Sequence, residues 1–516
     1  MLARDIVAEN LRQNDLDCQI LALPVPVAAL MSPEYIANTL KTKDLSKIDL
    51  TLIPGLIKGD ASRIEEAAGI KTRKGPKNAA DLPSVLKALG KVRLSTRIPA
   101  DDFVRRISLL ETEKTLSMIK REAIRRSNKR EVITIGAGER GALVSPSLPM
   151  LVLAEIVDAS IMPADEIQRR ARDFAASDVD IIDIGMVAGG GHPEEAARAV
   201  RVVKGCTQRP VSIDTSDPEE IASAVRAGAD LILSINAENM NEVEKSAWDT
   251  PVVVTSAGEN HRVPASVKER LKQLNANIKR ARKIGFKKII ADPVLNPLMT
   301  PSLAQSISAY MRFRELNPRI PLLFGAGNVT ELMDADSIGA NLLLAGLAAE
   351  VGANILLTTE ASNKTKSSAR ELARAVKMVT LARARRTAPE DLGINLLVMK
   401  EKRCKEEPFK PPKGIKQLKG MSAQEAVRDL KGSFRISVDR RRNELLMIHY
   451  SYGDTRPDSL IRGSDPDRLI GSAIRNGMIS RLEHASYLGK ELQKARIALE
   501  TGKSYVQDQP LLFASH

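Results

Sequence analysis

Acidic and amide side chains recur where short apolar segments end in the middle of this 516-residue chain. Asp214 lies at the end of PVSIDT, Asp292 lies at the end of KKIIADP, and Asp183 lies within DIIDIG. A carboxylate accepts two N–H hydrogen bonds side by side, so this set suits the amino and amide edge of a flat heterocycle. Histidine and cysteine are missing from these segment ends. We therefore expect neither a hydrolytic triad nor a three-histidine metal site, and we predict no metal ligands.

Two amides and a glycine-rich segment extend this set. Asn236 ends LILSIN, and Asn328 follows the GAG segment at 325–327, where glycine lets the backbone come close to a ligand. The segment GGGH at 189–192 suits a phosphate-binding loop or an active-site lid. We expect Asn236 and Asn328 to contact the heterocycle and His192 to contribute to a site for an anion.

The acidic residues also have structural alternatives. Asp183 would be satisfied by backbone groups if it lay inside a barrel, and Asp292 precedes a proline and suits a turn. Asp217, which also precedes a proline, suits the N-cap of a helix with proline at its first position. Because Asp217 suits that capping position, Asp214 is left for a ligand.

The elements that would position these residues are short β-branched segments that alternate with helical patterns such as PEEAARAVRVVK. Continuous apolar strands between helices predict a parallel sheet that is buried on both faces. Eight such units match a closed (β/α)8 TIM barrel, whose site lies at the carboxyl ends of the strands, and an open doubly wound sheet is the alternative. The eight segments are 151–157, 180–185, 210–215, 231–236, 251–256, 287–293, 321–327 and 354–360.

The predicted fold class is α/β, with a central barrel and one smaller domain on each side of it in the sequence. In the first region, DCQILALP and DLTLIPG predict strands, while ASRIEEAAG and DLPSVLKALG predict helices. In the last region, FRISVD and LLMIHY predict a hairpin that two helices follow. The predicted regions are a small α/β domain over 1–145, the barrel over 146–395, a Lys/Pro-rich linker over 396–420 and a C-terminal α+β domain over 421–516.

Composition restricts the class of protein further. With 43% hydrophobic and 28% charged residues the chain suits a globular protein, and no apolar run reaches the roughly 18 residues that a membrane helix needs. The first residues lack the apolar segment of a signal peptide and the three cysteines lie far apart, so we expect a cytoplasmic protein without disulfides or zinc. A net charge of +14 favours anionic small molecules, while an aromatic share of 3% disfavours nucleic acid.

Four motifs together carry a family resemblance. DIIDIG, PVSIDT, AVRAGADLI and IIADP resemble, in their order and spacing, the pterin-binding family, which contains dihydropteroate synthase and the methyltetrahydrofolate-type methyltransferases. Over its whole length, the chain resembles the archaeal dihydropteroate synthase-related proteins. The resemblance implies a (β/α)8 barrel over about 150–385 and a pterin ligand, either a dihydropterin or a tetrahydromethanopterin-type compound.

The resemblance also implies roles for individual residues. In the family, aspartates at the positions of Asp214 and Asp292 hold the pterin ring. The segment GAGNVT at 325–330 is similar to the G-x-S-N-V-S of the methyltransferases, whose asparagine approaches the pterin N5, and Asn328 falls on that position. Synthases carry S-R-K-S there, and their pterin-binding lysine is absent from this segment.

Three departures from the synthases are evident. Glu155 replaces the asparagine of the first-strand motif that binds diphosphate and metal, and TTE at 358–360 replaces the final R-x-H anion site. Leu233 aligns with the family asparagine of the fourth strand, so we expect Asn236 to reach inward instead. These departures favour pterin binding over diphosphate displacement.

Three functions are compatible with these residues. The first is a dihydropteroate synthase-like transferase of tetrahydromethanopterin or folate biosynthesis, which joins a hydroxymethyl-dihydropterin diphosphate to an anionic aryl amine. For this function Mg²⁺ is a candidate cofactor, and the predicted anion site consists of Lys364, Lys366 and His192. The second is a methyltransferase that moves a methyl group from N5 of a tetrahydropterin to a corrinoid protein or a thiol. The third is a non-catalytic pterin-binding protein. A homodimer is a candidate assembly, and we expect no membrane partner.

Overall fold

The computed structural model describes residues 7–8, 11, 18–25, 30–77, 81–89, 92–137, 141–258, 262–390, 392–400, 418 and 428–511. The chain divides into two units, which are Met1–Arg126 with Lys377–Pro411 and Ser127–Val376 with Pro412–His516. Most of the predicted Lys/Pro-rich linker, at 401–417 and 419–420, lies outside the described residues. In the described part of the chain, no helix combines the length and the apolar character required to cross a bilayer.

The first unit contains a small βαβ arrangement. Its elements are α1 (Pro33–Leu40), β1 (Thr51–Ile53), α2 (Ser62–Ala68), β2 (Thr72–Lys74), α3 (Leu82–Ala88) and α4 (Ala100–Arg126). Strands β1 and β2 pair in parallel, and Ile36, Leu40, Ile53 and Ile64 share one core. The prediction of a strand for DCQILALP is wrong, because residues 18–25 form no strand and Ile20 and Leu21 are exposed.

The second unit contains the predicted barrel. Its strands are β5 (Leu151–Ile156), β6 (Ile181–Gly185), β7 (Val211–Asp214), β8 (Leu231–Ile235), β9 (Val252–Thr255), β10 (Ile289–Asp292), β11 (Leu323–Gly325) and β12 (Ile355–Thr359). Its helices are α5 (Ala164–Ala176), α6 (Pro193–Cys206), α7 (Pro218–Arg226), α8 (Val267–Ile284), α9 (Leu303–Leu316), α10 (Gly327–Thr330), α11 (Ser337–Glu350) and α12 (Ser368–Arg385). The last part of α12 belongs to the first unit.

All eight barrel strands pair in parallel and the sheet closes on itself. The order is β10-β9-β8-β7-β6-β5-β12-β11, and a parallel bridge between Ala291 and Leu322 joins the two edge strands. The backbone N–H of Ala291 donates to the carbonyl of Pro321 over 2.8 Å. The (β/α)8 prediction is therefore confirmed, and the open doubly wound alternative is excluded.

A short antiparallel hairpin fills the amino-terminal end of the barrel. Its strands β3 (Ile133–Ile135) and β4 (Ala142–Val144) precede the first barrel strand. Ile135 and Val144 are buried in one apolar cluster with side chains from the barrel interior, such as Leu153, Leu231 and Ile290. The hairpin therefore completes the barrel core, while the opposite end carries the strand ends that sequence predicts to form the site.

The C-terminal region is an α+β arrangement, as the sequence predicts. Strands β13 (Ser433–Asp439), β14 (Glu444–Tyr450) and β15 (Ser459–Gly463) form an antiparallel sheet, and α13 (Pro466–Arg475) and α14 (Leu482–Thr501) follow. Alternate residues of β13 and β14 are buried against the apolar face of α14, so the sheet and the helix share one core.

Candidate functional site

A cavity of about 360 Å³ lies at the carboxyl ends of the barrel strands. Glu155, Asp214, Asn236 and Thr255 contribute polar groups to its wall, and the glycine-rich segment after β6 contributes Gly189 and Gly190. Strand ends of a parallel barrel meet at one edge, which explains why residues far apart in sequence share this cavity. In this described lining there is no lysine, arginine or histidine.

Three carboxyl groups form an acidic cluster at this end of the barrel. Oxygen atoms of Glu155, Asp183 and Asp214 all lie within 4.8 Å of one another. The strand register brings them together, because Glu155 lies opposite Asp183 on β6 and Gly185 lies opposite Asp214 on β7. A Cβ atom on Gly185 would lie 2.1 Å from Oε1 of Glu155, so glycine at this position makes room for the glutamate.

Most oxygen atoms of the acidic cluster lack a protein donor. Oδ1 of Asp183 accepts a 2.5 Å hydrogen bond from the Ser212 hydroxyl, while Oδ2 of this fully buried residue has no partner. Among the described residues, no group donates a hydrogen bond to the carboxyl of Glu155 or Asp214. Because buried polar groups normally have partners, these oxygen atoms indicate a ligand that supplies N–H groups, protons or a cation.

Burial and mutual repulsion raise the pKa values of the acidic cluster. Burial, followed by the charges of Asp214, Asp158 and Glu331, raises the pKa of Glu155 to about 8. Burial and the charge of Asp292 raise the pKa of Asp214 to about 7. Burial and the two neighbouring carboxyls raise the pKa of Asp183 well above its ordinary value. At neutral pH the cluster therefore holds protons instead of three full negative charges.

Asp292 has a different environment at the end of β10. Its Oδ1 accepts hydrogen bonds from the Tyr310 hydroxyl over 2.7 Å and from the Val294 backbone N–H over 2.8 Å. Burial raises the pKa of Asp292 to about 6, while these two donors and the charge of Arg270 act in the opposite direction. Asp292 is outside the cavity lining, and with Oδ1 occupied, Oδ2 is the oxygen that remains to accept a hydrogen bond from a ligand.

The two predicted amides have different degrees of access to the cavity. Asn236 lines it, and its Oδ1 accepts a 2.8 Å hydrogen bond from the backbone N–H of Glu238. Asn328 is outside the cavity lining, and its Nδ2 donates to the carbonyl of Leu295 over 3.0 Å. A Cβ on Gly325 would lie 2.9 Å from that Nδ2, so glycine at position 325 makes room for the side-chain amide of Asn328.

The glycine-rich segment is tied to the start of the next helix. Gly189, Gly190 and Gly191 all have positive φ angles, and the N–H of Gly191 donates to Oδ2 of Asp217 over 2.7 Å. Oδ1 of Asp217 accepts from the N–H of Glu219 over 2.8 Å, which confirms its predicted role as an N-cap of α7. Asp217 thus holds the cavity wall and caps α7 at the same time.

Three family models match separate parts of the chain. The family described as "Pterin binding enzyme" matches residues 156–359, the family PterinBD-DUF4346 matches 428–508, and a family of unknown function (DUF6513) matches 3–77. The uncharacterized protein MJ0107 of Methanocaldococcus jannaschii is 37% identical over 499 residues, which cover 94% of this chain and 92% of the relative. This chain belongs to the pterin-binding enzyme family.

Solved structures of dihydropteroate synthases are among the matches of this family member. A Yersinia pestis dihydropteroate synthase with a pterine-sulfa conjugate is 19% identical and has a TM-score of 0.39, covering 49% of this chain and 100% of the synthase. A Coxiella burnetii synthase in complex with pteroic acid is 21% identical with a TM-score of 0.38, covering 46% of this chain and 94% of the synthase.

The three residues that sequence predicts as an anion site lie outside the cavity lining of this pterin-binding enzyme. Nζ of Lys364 pairs with Asp334 over 3.1 Å, and Nζ of Lys366 donates to the carbonyl of Leu499 in the C-terminal region over 2.7 Å. The backbone N–H of His192 donates to Glu220 over 2.9 Å. Their assignment to a second substrate therefore stays a prediction.

In the sequence, Glu155 stands out as a departure from the synthases, and it is not among the predicted site residues. Its position could have been found from the strand ends, because the last residues of neighbouring parallel strands share one layer of the barrel. Tyr310 and Arg270 lie on helices, and their sequence context carries no signal of a contact with Asp292.

Proposed function

We propose that this enzyme binds a reduced pterin through Asp214 and Asp292 and transfers a methyl group from its N5 atom. A pterin presents its amino group and the neighbouring ring N–H side by side, and a carboxylate is the acceptor that matches this pair. The observation that carries the proposal is that the carboxyls of Glu155 and Asp214, to which no described residue donates a hydrogen bond, lie in the wall of a cavity of about 360 Å³.

The charge of the cavity favours methyl transfer over diphosphate displacement. A tetrahydropterin gives up its N5 methyl group most readily when N5 carries positive charge. Asp292, whose pKa of about 6 leaves it mostly ionised at neutral pH, and the ionised fraction of Asp214 would stabilise such charge. A departing diphosphate would instead need cations, and none occurs in the described lining. The methyltransferase-like segment that contains Asn328 is consistent with this choice, with the amide on the same face of the barrel.

A transfer assay tests the proposal. The whole protein is incubated with a 5-methyl-tetrahydropterin of the folate or methanopterin type and with cob(I)alamin as a stand-in for a corrinoid protein, or with a thiol. We expect methylcobalamin or a thioether to form, as followed by absorbance or mass spectrometry, and Asp214→Ala to abolish most of the rate. Tight pterin binding without transfer to either acceptor would reject methyl transfer and favour a non-catalytic pterin-binding protein.

The acidic cluster also supports a second candidate, the synthase-like condensation. Glu155, Asp183 and Asp214 each offer a carboxyl oxygen within 4.8 Å of the other two, and hard oxygen ligands suit Mg²⁺, so these residues are the group that would hold the ion. Mg²⁺ at this position would offset the charge of a diphosphate leaving group. An aryl amine that carries a phosphate would then be the second substrate, with Lys364, Lys366 and His192 as its candidate contacts.

A second assay separates this candidate from methyl transfer. The protein is incubated with hydroxymethyl-dihydropterin diphosphate, an aryl amine and Mg²⁺, and released diphosphate is measured. Metal-dependent release that disappears in Asp183→Asn would favour the synthase. Absence of release at saturating substrates, together with methyl transfer in the first assay, would leave methyl transfer alone.

A further inference from the structure

We propose that a basic surface between the barrel and the C-terminal region binds the anionic tail of the pterin whose ring occupies the cavity. This surface consists of Lys366 in the loop after β12 and of Arg440, Arg441 and Arg442 in the turn between β13 and β14, and we call it the junction surface. The inference rests on the proposed pterin binding and assigns a site to the part of the ligand that carries its negative charges.

The loop at 360–367 lies between the cavity and the C-terminal region. At its start, Thr359 of β12 is in register with Glu155, which belongs to the cavity wall. The carboxyl of Glu331 accepts a hydrogen bond from the Thr365 hydroxyl, and the charge of Glu331 also acts on Glu155. The loop is therefore fixed beside the cavity, and a tail that leaves the cavity on the β12 side passes along it.

The same loop contacts the C-terminal region directly. Nζ of Lys366 donates to the carbonyl of Leu499 over 2.7 Å, and a Cβ on Gly502 would lie 3.1 Å from the carbonyl of Asn363. Burial, followed by the charge of Arg440, lowers the pKa of Lys366. Two segments that are far apart in sequence thus bring like charges together at one place.

The turn between β13 and β14 presents its arginines from a fixed backbone. Oδ1 of Asp439 accepts hydrogen bonds from the N–H groups of Arg441 and Arg442 over 3.0 and 3.1 Å. Nη2 of Arg440 donates to the carbonyl of Lys503 over 2.6 Å. The three arginines are exposed, and a guanidinium group binds a carboxylate or a phosphate through two parallel hydrogen bonds.

The charges of the junction surface lack counter-charges. Among the described residues, no carboxylate forms an ion pair with Lys366 or with the arginines at 440–442. Glu360 acts on Lys366 from within the loop, but burial raises the pKa of Glu360. Elsewhere in the C-terminal region, Arg462 pairs with Glu444 over 2.7 Å. Uncompensated like charges attract anions, so this convergence indicates an anionic ligand.

The cavity and the junction surface suit different parts of one ligand. In the described lining of the cavity there is no lysine, arginine or histidine, so an anionic tail has no basic partner there. The cavity suits a ring that donates N–H groups, while the junction surface suits carboxylates or phosphates. A reduced pterin with several glutamates, or with a phosphate, on its tail combines these two chemical parts.

The test compares ligands that share the pterin ring and differ in the tail. Calorimetry on the whole chain measures the dissociation constants of 5-methyl-tetrahydrofolate with one and with five glutamates, and of 5-methyl-tetrahydromethanopterin, whose tail carries a phosphate. The turn variant combines Arg440→Gln with Arg441→Gln. The control combines Arg456→Gln with Arg475→Gln, which removes the same charge from exposed positions elsewhere in the C-terminal region.

We expect the turn variant to bind a long-tailed ligand about tenfold more weakly than the wild type, because each lost charge contact is worth about threefold. Lys366→Gln, on the barrel side of the surface, should weaken the same ligand about threefold. The monoglutamate should change by less than about twofold, and the losses should shrink at about 500 mM salt, which screens exposed charges. The control should match the wild type with each ligand.

The outcomes separate this inference from the proposed function. A loss confined to the pentaglutamate would identify carboxylates as the tail anions, and a loss confined to the methanopterin compound would identify phosphate. If none of the three ligands binds to the wild type, the proposed pterin binding fails. If they bind and the turn variant weakens none of them more than the control does, the junction surface is not a tail site. Free pentaglutamate that binds as tightly as the pterin pentaglutamate would also overturn the inference, because the anion would then bind independently of the ring.

Discussion

Two acidic regions of the barrel mouth differ in how their carboxyl groups are supported. At the end of β10, one oxygen of Asp292 is held by the Tyr310 hydroxyl and the Val294 N–H, and the charge of Arg270 stabilises the ionised form. At the ends of β5 to β7, Asp183 accepts hydrogen bonds from the Ser212 hydroxyl and the Ile184 backbone N–H, while no described residue donates to the carboxyl of Glu155 or Asp214.

This difference in hydrogen-bond donors suggests that the two regions contribute differently to ligand binding. A carboxylate with two protein donors has a fixed orientation and accepts a ligand without reorganisation. Carboxyl groups without donors compete for protons, so their charge responds to the ligand and to pH. Asp292 is therefore suited to orient a ring, while the acidic cluster around Asp214 is suited to exchange charge with it.

The largest expected effect is the loss of pterin affinity in Asp214→Ala and in Asp292→Ala. Each change removes a charged hydrogen-bond acceptor, which costs about 1.5–3 kcal/mol, or about 10- to 150-fold in the dissociation constant measured by calorimetry. Asp214→Asn should retain more affinity than Asp292→Asn, because Asp214 is partly protonated at neutral pH. Unchanged binding in both alanine variants, with native unfolding curves, would refute the pocket assignment.

Gly185→Ala tests the packing of the acidic cluster. The new Cβ would lie 2.1 Å from Oε1 of Glu155, so we expect the free energy of unfolding to fall by about 1–3 kcal/mol. Adding Glu155→Ala should recover most of this loss in a double-mutant cycle measured by urea unfolding. Gly205→Ala is the control, because its Cβ would have open space within 4 Å and should not destabilise the protein. Equal effects of both glycine changes would contradict this packing.

The pH dependence of stability should distinguish the cluster from an ordinary acidic surface. The folded-state pKa of Glu155 is raised to about 8 from its ordinary value of 4.5. The protonated carboxyl contributes its full stabilisation below the pKa that Glu155 has in the unfolded chain. This contribution is lost as the pH rises through the pKa that Glu155 has in the folded protein. The free energy of unfolding should therefore fall between about pH 5 and about pH 8, by at most about 1.4 kcal/mol per unit for each group. Urea unfolding of Glu155→Gln should give a flatter profile, and an unchanged profile would contradict the assignment.

Tyr310→Phe should have the smallest effect and should act on the Asp292 side alone. The lost hydrogen bond is internal to the protein and only orients Asp292, so we expect pterin affinity to fall by only about fivefold, or about 1 kcal/mol. The Tyr310 hydroxyl lowers the pKa of Asp292, so its removal should raise that pKa. When the solution is acidified, pterin binding to Tyr310→Phe should therefore begin to weaken at a higher pH than binding to the wild type. Tyr505→Phe, which removes a 2.9 Å hydrogen bond to Glu491 in the C-terminal region, should leave binding unchanged. Equal losses of binding in Tyr310→Phe and Tyr505→Phe would contradict this role of Tyr310.

The barrel was predictable because its strands are buried on both faces and therefore occur as continuous apolar segments between amphipathic helices. Asp217 was recognisable as a cap from its own local sequence. DCQILALP was misread because its apolar composition resembles that of a strand, whereas pairing depends on a neighbouring strand that local sequence does not specify.

The candidate site was predictable in its strand-end positions and less so in its contacts. Asp214 and Asn236 line the cavity, whereas Asp183, Asp292 and Asn328 are outside its lining, and Asn328 packs on Gly325 and Leu295. The hydrogen bond to Asp292 comes from the hydroxyl of Tyr310, which lies on a helix 18 residues later. Tertiary packing, which local sequence does not specify, brings this hydroxyl to the carboxyl. A long, flexible side chain such as that of Lys364 can reach several partners, so the sequence alone does not predict where its charged group lies.

The hairpin at the amino-terminal end of the barrel limits how the chain can be shortened. A recombinant fragment that starts at residue 146 would lack Ile135 and Val144, which pack against Leu153, Leu231 and Ile290. The apolar ring at that end would then face water and promote self-association. A well-behaved fragment that contains the cavity must therefore begin upstream of Ile133, although every residue of the cavity lining lies beyond position 150.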